Sequence, residues 1–285
     1  MRGLRAGILG RLRLIYFYFV RKDVRDSVTF LEVLKAALAS RCEVIASRFS
    51  KAIREDSEYV YYSIHGEENL FIYPKKLPYH NFAQVISEGC QREHWHYYEI
   101  PQARIEKGDV VVDCGSAEGF FAFQNLRAGN HLYCIEPLPV FCRALHKLFD
   151  DYDNVTIIEA ALSDRNGKLY ICPSSISSTC KPEMTDANND ILVEAVTIDS
   201  LFADKGIPIN FLKADLEGFE EKMILGSLKT IQLFKPKIAV TTYHPGTDYN
   251  KIIHIIKQVV PEYQFVLKGV EELTGNPVML HMWVK

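Results

Sequence analysis

The sequence predicts an α/β fold: a mostly parallel sheet with helices on both faces, preceded by a helical and hairpin extension. Three observations predict it. Val110, Val111 and Val112 form a β-branched run without polar alternation, which suits a strand buried on both faces. Asp113, Gly115 and Gly119 follow, and Phe120–Leu126 opens an apolar helical pattern, so the chain runs strand, glycine turn, helix. Leu132–Ile135 then repeats the short apolar run and ends in Glu136-Pro137.

The turn between Asp113 and Phe120 suits a ligand. Glycine lets a ligand approach the backbone, and the helix behind the turn offers free N–H groups. The spacing Asp-x-Gly-x-x-x-Gly departs from the G-x-G-x-x-G dinucleotide fingerprint. Glu118 also sets a negative charge where phosphates would sit. A cationic, phosphate-free nucleoside fits better, and S-adenosylmethionine is one. Asp113 at the strand end can accept from an amine or hydroxyl. Glu136, about 20 residues past the turn, stands where Rossmann-type folds hold ribose hydroxyls, and an ionised carboxylate accepts two donors.

These motifs resemble the FkbM family of class I S-adenosylmethionine-dependent methyltransferases. The resemblance rests on Val111–Gly119, Cys134–Pro137, Ala160–Asp164 with Gly167, Ile209–Glu220 (INFLKADLEGFE) and Tyr243-His244. It implies a Rossmann-like, seven-stranded, mostly parallel sheet whose last strand inserts antiparallel beside the fifth. It implies a donor site at Asp113, Gly115, Ser116, Glu118, Gly119, Glu136, Pro137, Ala161 and Asp215. It further implies O-methylation of a sugar, glycan or small natural product. Two other readings compete: a nicotinamide-dependent oxidoreductase, and a catalytically silent binding module on the same fold.

The bulk properties agree with a globular enzyme. The chain has 285 residues, 48% hydrophobic and 24% charged, enough for one large domain with an extension. A net charge of −3 disfavours a nucleic-acid partner. The 7 cysteines form no C-x-x-C pair, which suits reduced thiols in a cytoplasmic protein. Cys114 reads as a small packing residue, since no base stands next to it.

In chain order, residues 1–104 read as an extension or cap and 105–285 as the donor-binding domain. Residues 1–22 carry six basic residues and no acid, and Leu14–Val20 is apolar and aromatic. That run is shorter than the roughly 20 residues of a membrane span, and no small-residue cleavage site follows it. A helix packing its apolar face on the domain explains it. Weak contact with the inner membrane surface is the second reading. Asp26–Ser50 has helical periodicity, and Tyr59–Tyr73 reads as a hairpin around His65–Glu68. Residues 94–99, with His94 and His96, read as an aromatic hinge between cap and core.

Phe141–Phe149 is then the second core helix and Asn154–Glu159 the third strand. Ala160 and Ala161 leave room for a flat base. Lys168–Cys172 pairs with Leu192–Val196, and the polar stretch Ser174–Asn189 between them reads as a lid or substrate loop. Thr197–Phe202 opens a helix, and Ile209–Ala214 is the fourth strand, ending in Asp215-Leu216-Glu217-Gly218. Pro236–Thr242 is the fifth, ending in Tyr243-His244. Asp248–Val260 is a helix, and Tyr263–Lys268 with Pro277–Val284 closes the sheet.

Adjacent fourth and fifth strands would bring Asp215, Glu217 and His244 together beside the methyl donor. His244 is the first candidate for general base, since imidazole titrates near neutrality, and Asp215 is the second. Glu217 holds the substrate or, with Asp215, a divalent cation, although a metal is not favoured. Lys213 reads as the partner of a neighbouring carboxylate. Asp-Leu-Glu-Gly in place of an Asn- or Asp-Pro-Pro-Tyr motif favours a hydroxyl acceptor over a base or amide. Oligomeric state has no signature in the chain.

Overall fold

The computed structural model describes residues 2–126, 129–172, 179–181 and 190–285. The chain opens with four helices, α1 (Arg2–Val20), α2 (Lys22–Ser27), α3 (Phe30–Ala37) and α4 (Cys42–Phe49). The single helix expected over Asp26–Ser50 is thus broken. Thr29 accepts from the Glu32 amide while the Glu32 carboxylate accepts from the Thr29 amide, a capping box that starts a fresh helix inside the periodic pattern. From Ser50 the backbone turns into a strand. No helix among the described residues is long and apolar enough to cross a membrane.

Strands β1 (Ser50–Glu55), β2 (Tyr59–Ile64) and β3 (Leu70–Pro74) form an antiparallel sheet, so the expected hairpin carries one more strand. Helix α5 (Tyr79–Cys90) follows, an element not anticipated from the sequence. Its inward residues Phe82, Ala83 and Ile86 are fully buried. Tyr62 stacks on Phe82 at 3.9 Å and Phe71 meets Phe120 edge-on at 5.0 Å, which fastens the small sheet to the core.

The core then runs β4 (Val110–Cys114), α6 (Phe120–Gln124), β5 (His131–Ile135), α7 (Pro139–Phe149) and β6 (Val155–Ile158). A side sheet follows, made of β7 (Ala161–Leu162), β8 (Gly167–Cys172), β9 (Thr179–Lys181) and β10 (Ile191–Val196), with β8 and β10 antiparallel as expected. Apart from β9, the stretch read as a lid lies outside the described residues. The chain returns through α8 (Ile198–Leu201), β11 (Phe211–Ala214), α9 (Glu220–Leu225), α10 (Leu228–Phe234), β12 (Lys237–Thr241), α11 (Tyr249–Val259), β13 (Gln264–Lys268) and β14 (Met279–Trp283).

Seven strands among the described residues form the main sheet, in the order β13-β14-β12-β11-β4-β5-β6. β14 alone runs antiparallel, inserted between β12 and β13. Apolar side chains cover both faces. Phe120, Leu145 and Phe149 pack on one, and Phe202, Ile231 and Ile252 on the other. Because β4, β5 and β6 step one way from the centre and β11 and β12 the other, the strand order reverses between β4 and β11. Their carboxyl ends diverge there and open a crevice.

Candidate active site

The crevice is a cavity of about 400 Å³. Its floor is the turn after β4. Gly115 and Ser116 donate backbone N–H groups to the Ile135 carbonyl at 2.9 and 3.2 Å, which stitches the turn to β5. Gly115 has φ +76°, and a Cβ there would sit 2.0 Å from the Asp215 carbonyl oxygen. Gly119, at φ +84°, caps α6 against Leu145 and Phe149. Only glycine meets both demands at each position.

Glu136 is buried at the end of β5. One of its oxygens accepts from the Ala117 amide at 3.0 Å and the other from the Leu138 amide at 2.9 Å. A carboxylate has about four acceptor positions, so each oxygen retains capacity for a further donor. Burial pushes the pKa of both Glu118 and Glu136 up to about 7. Gly115, Ser116, Glu118, Glu136, Pro137, Ala161 and Asp215 line the cavity, seven of the nine sequence-predicted donor residues; Asp113 and Gly119 are not among the lining residues.

Asp113 is placed differently. It lies beneath the wall, 1% exposed, with Lys213 Nζ at 2.8 Å from its Oδ1. The two residues stand opposite each other in the β4–β11 register. Lys213 also donates to the Gly115 carbonyl at 2.6 Å. Burial would lower the Lys213 pKa, but Asp113 and Asp215 hold it above the ordinary value. Asp113 is thus not among the residues that line the cavity, and its carboxylate is paired with Lys213. Cys114 beside it is fully buried, with its thiol pushed up by burial, as a packing residue should be.

Asp215 and Glu217 line the cavity at the end of β11. Asp215 Oδ2 accepts from the Tyr98 hydroxyl at 2.8 Å, and Oδ1 from Thr241 at 3.2 Å. Burial would raise the Asp215 pKa, but the nearby His244, His96 and Lys213 hold it down at about 2. Glu217 has φ +51°, unusual for a side chain with a Cβ, and burial brings its carboxyl up to about 7.

His244 is 4% exposed and sits behind these two carboxylates. Its Nδ1 lies 2.7 Å from Glu220 Oε1, and its Nε2 lies 3.5 Å from Glu217 Oε2 and 3.6 Å from Asp215 Oδ1. Burial would lower its pKa, but the Glu220 hydrogen bond and the surrounding carboxylates raise it to about 9. The expected convergence of Asp215, Glu217 and His244 is observed. His244, the first candidate base, is not among the residues that line the cavity, and its raised pKa favours the imidazolium form at neutral pH. The three side chains bring ligand atoms within 4.8 Å of one another, so a cation is geometrically admissible there.

Several residues in and behind the cavity wall escaped sequence reasoning. Glu220, fully buried, accepts from the Leu216 and Gly218 amides at 3.0 Å each and from Thr247 at 2.7 Å, so it fixes the whole loop after β11. It stands inside the Asp-Leu-Glu-Gly-Phe-Glu motif, which was the available signal. Glu88, His96 and Tyr98 come from α5 and the segment after it. His96 Nε2 lies 3.1 Å from the Tyr243 hydroxyl, and its Nδ1 lies 3.5 Å from Glu88. The expected aromatic hinge is thus also cavity wall.

Comparison with known proteins identifies the family. Residues 113–267 match the Methyltransferase FkbM domain. The chain is 26% identical over 198 residues to the 2-O-methyltransferase NoeI of Sinorhizobium fredii, covering 61% of this chain and 81% of that protein. The crystal structure of a methyltransferase FkbM from Methylobacillus flagellatus superposes with a TM-score of 0.50 at 21% identity, over 72% of this chain. The match covers 52% of that chain, so this protein spans about half the length of that relative. With the family matched across more than half of its residues, on a seven-stranded sheet of this order, the chain belongs to the FkbM family of class I methyltransferases.

Proposed function

We propose that the protein binds S-adenosylmethionine in this cavity and methylates a hydroxyl of a sugar, glycan or small natural product. The observation that carries the reading is Glu136, a buried carboxylate with spare acceptor capacity beside a turn in which Gly115 leaves no room for a Cβ. A nucleoside's two ribose hydroxyls suit Glu136, and the alanines at 160 and 161 leave space for a base. The acidic wall of Glu118, Glu136 and Asp215 favours a cation and opposes a pyrophosphate. When bound, S-adenosylmethionine supplies an electrophilic methyl group on a sulfonium centre. The 2-O-methyltransferase name of the NoeI relative supports an oxygen acceptor.

The chain's own residues have separate tasks in this reading. Asp215, held ionised, accepts from donors entering the cavity and is oriented by Tyr98 and Thr241. Glu217, whose carboxyl titrates near neutrality, receives the acceptor's proton as the new bond forms. His244 stays charged behind both and steadies them. Glu88, His96 and Tyr98 line the same cavity and contribute to acceptor choice, in keeping with a cap role for residues 1–104.

The test is calorimetric titration of the wild type and Glu136→Ala with S-adenosylmethionine, followed by a labelled-methyl screen of sugar and glycan acceptors. Micromolar binding lost in Glu136→Ala, with label found on an oxygen, is the expected result. Absence of donor binding in folded wild type would overturn the proposal, and label on nitrogen would overturn the hydroxyl assignment.

A further inference from the structure

Helix α1 presents two faces. Leu14 turns inward and packs with Val24, Val28, Val33 and Val270 in a small core of its own. On the opposite side Leu9, Leu12, Tyr16 and Phe19 are all more than half exposed, at 3-4-3 spacing along one stripe. Helix α3 repeats the arrangement. Val33 is buried, while Leu31, Leu34 and Leu38 are exposed at 3-4 spacing, Leu38 at 72%. The rings of Phe19 and Phe30, 5.7 Å apart, join the two stripes. An apolar surface continuous over two helices is more than the scattered single residues a soluble surface carries.

The charge around it selects the occupant. Residues 1–22 contain six basic residues and no acidic one. Arg13, Lys22 and Arg25 are exposed next to the stripe; Arg25 donates to the Tyr18 and Phe19 carbonyls and has no ion pair among the described residues, whereas Arg21 is paired with Asp23, and Asp26 and Glu32 are exposed nearby. An apolar stripe containing Tyr and Phe, edged by Arg and Lys, on a helix not apolar enough to span a bilayer, is the pattern of a helix lying in a lipid interface. We infer that α1 and α3 dock the protein on an anionic membrane surface, with the Leu9–Phe19 stripe entering the headgroup boundary and the basic residues meeting lipid phosphates. The inference stands apart from the donor-site reading.

The experiment is sedimentation of the full chain with phosphatidylcholine vesicles, with and without added phosphatidylglycerol. Binding at least about tenfold stronger to the anionic vesicles, and weakened as salt rises to about 0.5 M, is expected. Leu12→Asp and Phe19→Asp should each abolish it, and Arg13→Glu should weaken it. These positions are exposed, so thermal unfolding should match the wild type. The wild-type lipid and salt series decides the question if a variant misfolds. Wild type left in the supernatant with anionic vesicles overturns the inference. In that case, self-association by ultracentrifugation that Phe19→Asp abolishes would assign the stripe to a second copy of the chain. Equal binding to neutral and anionic vesicles overturns the role of the basic residues.

Discussion

Lys213 Nζ reaches two groups of the donor turn at once, Asp113 Oδ1 at 2.8 Å and the Gly115 carbonyl at 2.6 Å. The ion pair lies in the sheet interior, where breaking one side strands the other charge. Lys213→Met should therefore cost about 3–5 kcal/mol of stability. The double variant Asp113→Leu/Lys213→Met, which strands no charge, should recover most of it. Urea unfolding measures both, and a loss below about 1 kcal/mol in Lys213→Met would show that the pair is not buried as described.

Gly115→Ala should disable the site locally. The added Cβ would meet the Asp215 carbonyl at 2.0 Å, a backbone atom that cannot swing aside. Either the turn or the end of β11 must move, and a displacement of about 1 Å costs roughly 100-fold in turnover. The backbone conformation adds a destabilisation of about 1 kcal/mol or more. Donor titration and initial rates check this, and wild-type rates in the variant would contradict the close approach.

How much of this the sequence discloses follows from sequence distance. Parallel strands buried on both faces leave unbroken apolar runs, so β4, β5, β11 and β12 were legible with their trailing motifs. The glycines and Glu136 were legible because a turn and the next strand end lie within about 20 residues. Tyr98 and Asp215, bonded at 2.8 Å, stand 117 positions apart, and nothing local marks either as the other's partner. The raised pKa of His244 was hidden for the same reason, since Asp215, Glu217 and Glu220 reach it from a different loop. The break before α3 was legible in Thr29-x-x-Glu32, but the surrounding periodicity masked it.

Activity should rise with pH on the acid side because Glu217 must be ionised to accept a proton. Its carboxyl titrates at about 7, so the rate falls as pH drops through that value. Glu217→Gln should lower turnover by roughly 10²–10⁴-fold and remove this limb while leaving donor affinity near wild type. An unchanged acid limb in Glu217→Gln would assign it to another group.

A divalent cation should be dispensable for turnover. Asp215, Glu217 and His244 are close enough to share an ion, but the charged imidazole already supplies the positive charge between the carboxylates. A metal on Nε2 would first have to displace that proton. Dialysis against EDTA should therefore leave the rate within about twofold of the untreated enzyme, a change too small to reflect a lost catalytic ion. Loss of activity restored by Mg²⁺ or Mn²⁺ would instead make these three side chains a metal site.

His244 should also make stability depend on pH. Its pKa rises from 6.5 to about 9 on folding, because Glu220, Asp215 and Glu217 outweigh the cost of burial. A group whose pKa is raised by folding stabilises fully while it is protonated in both states, which is below pH 6.5. That contribution is lost progressively as pH climbs from 6.5 to about 9. At about 1.4 kcal/mol per tenfold change in proton affinity, it amounts to an order of 3 kcal/mol, with part offset by the neighbouring carboxylates. Glu217, raised to about 7, acts in the same direction at lower pH, and Lys268, lowered to about 8 by burial, acts in the opposite direction above that value, so the difference between wild type and a histidine variant isolates the imidazole. His244→Asn should start with a lower unfolding temperature than the wild type, and the gap between the two should close across that window. A gap that stays constant across the window would mean that the imidazole is neutral, and would favour His244 over Glu217 as the base.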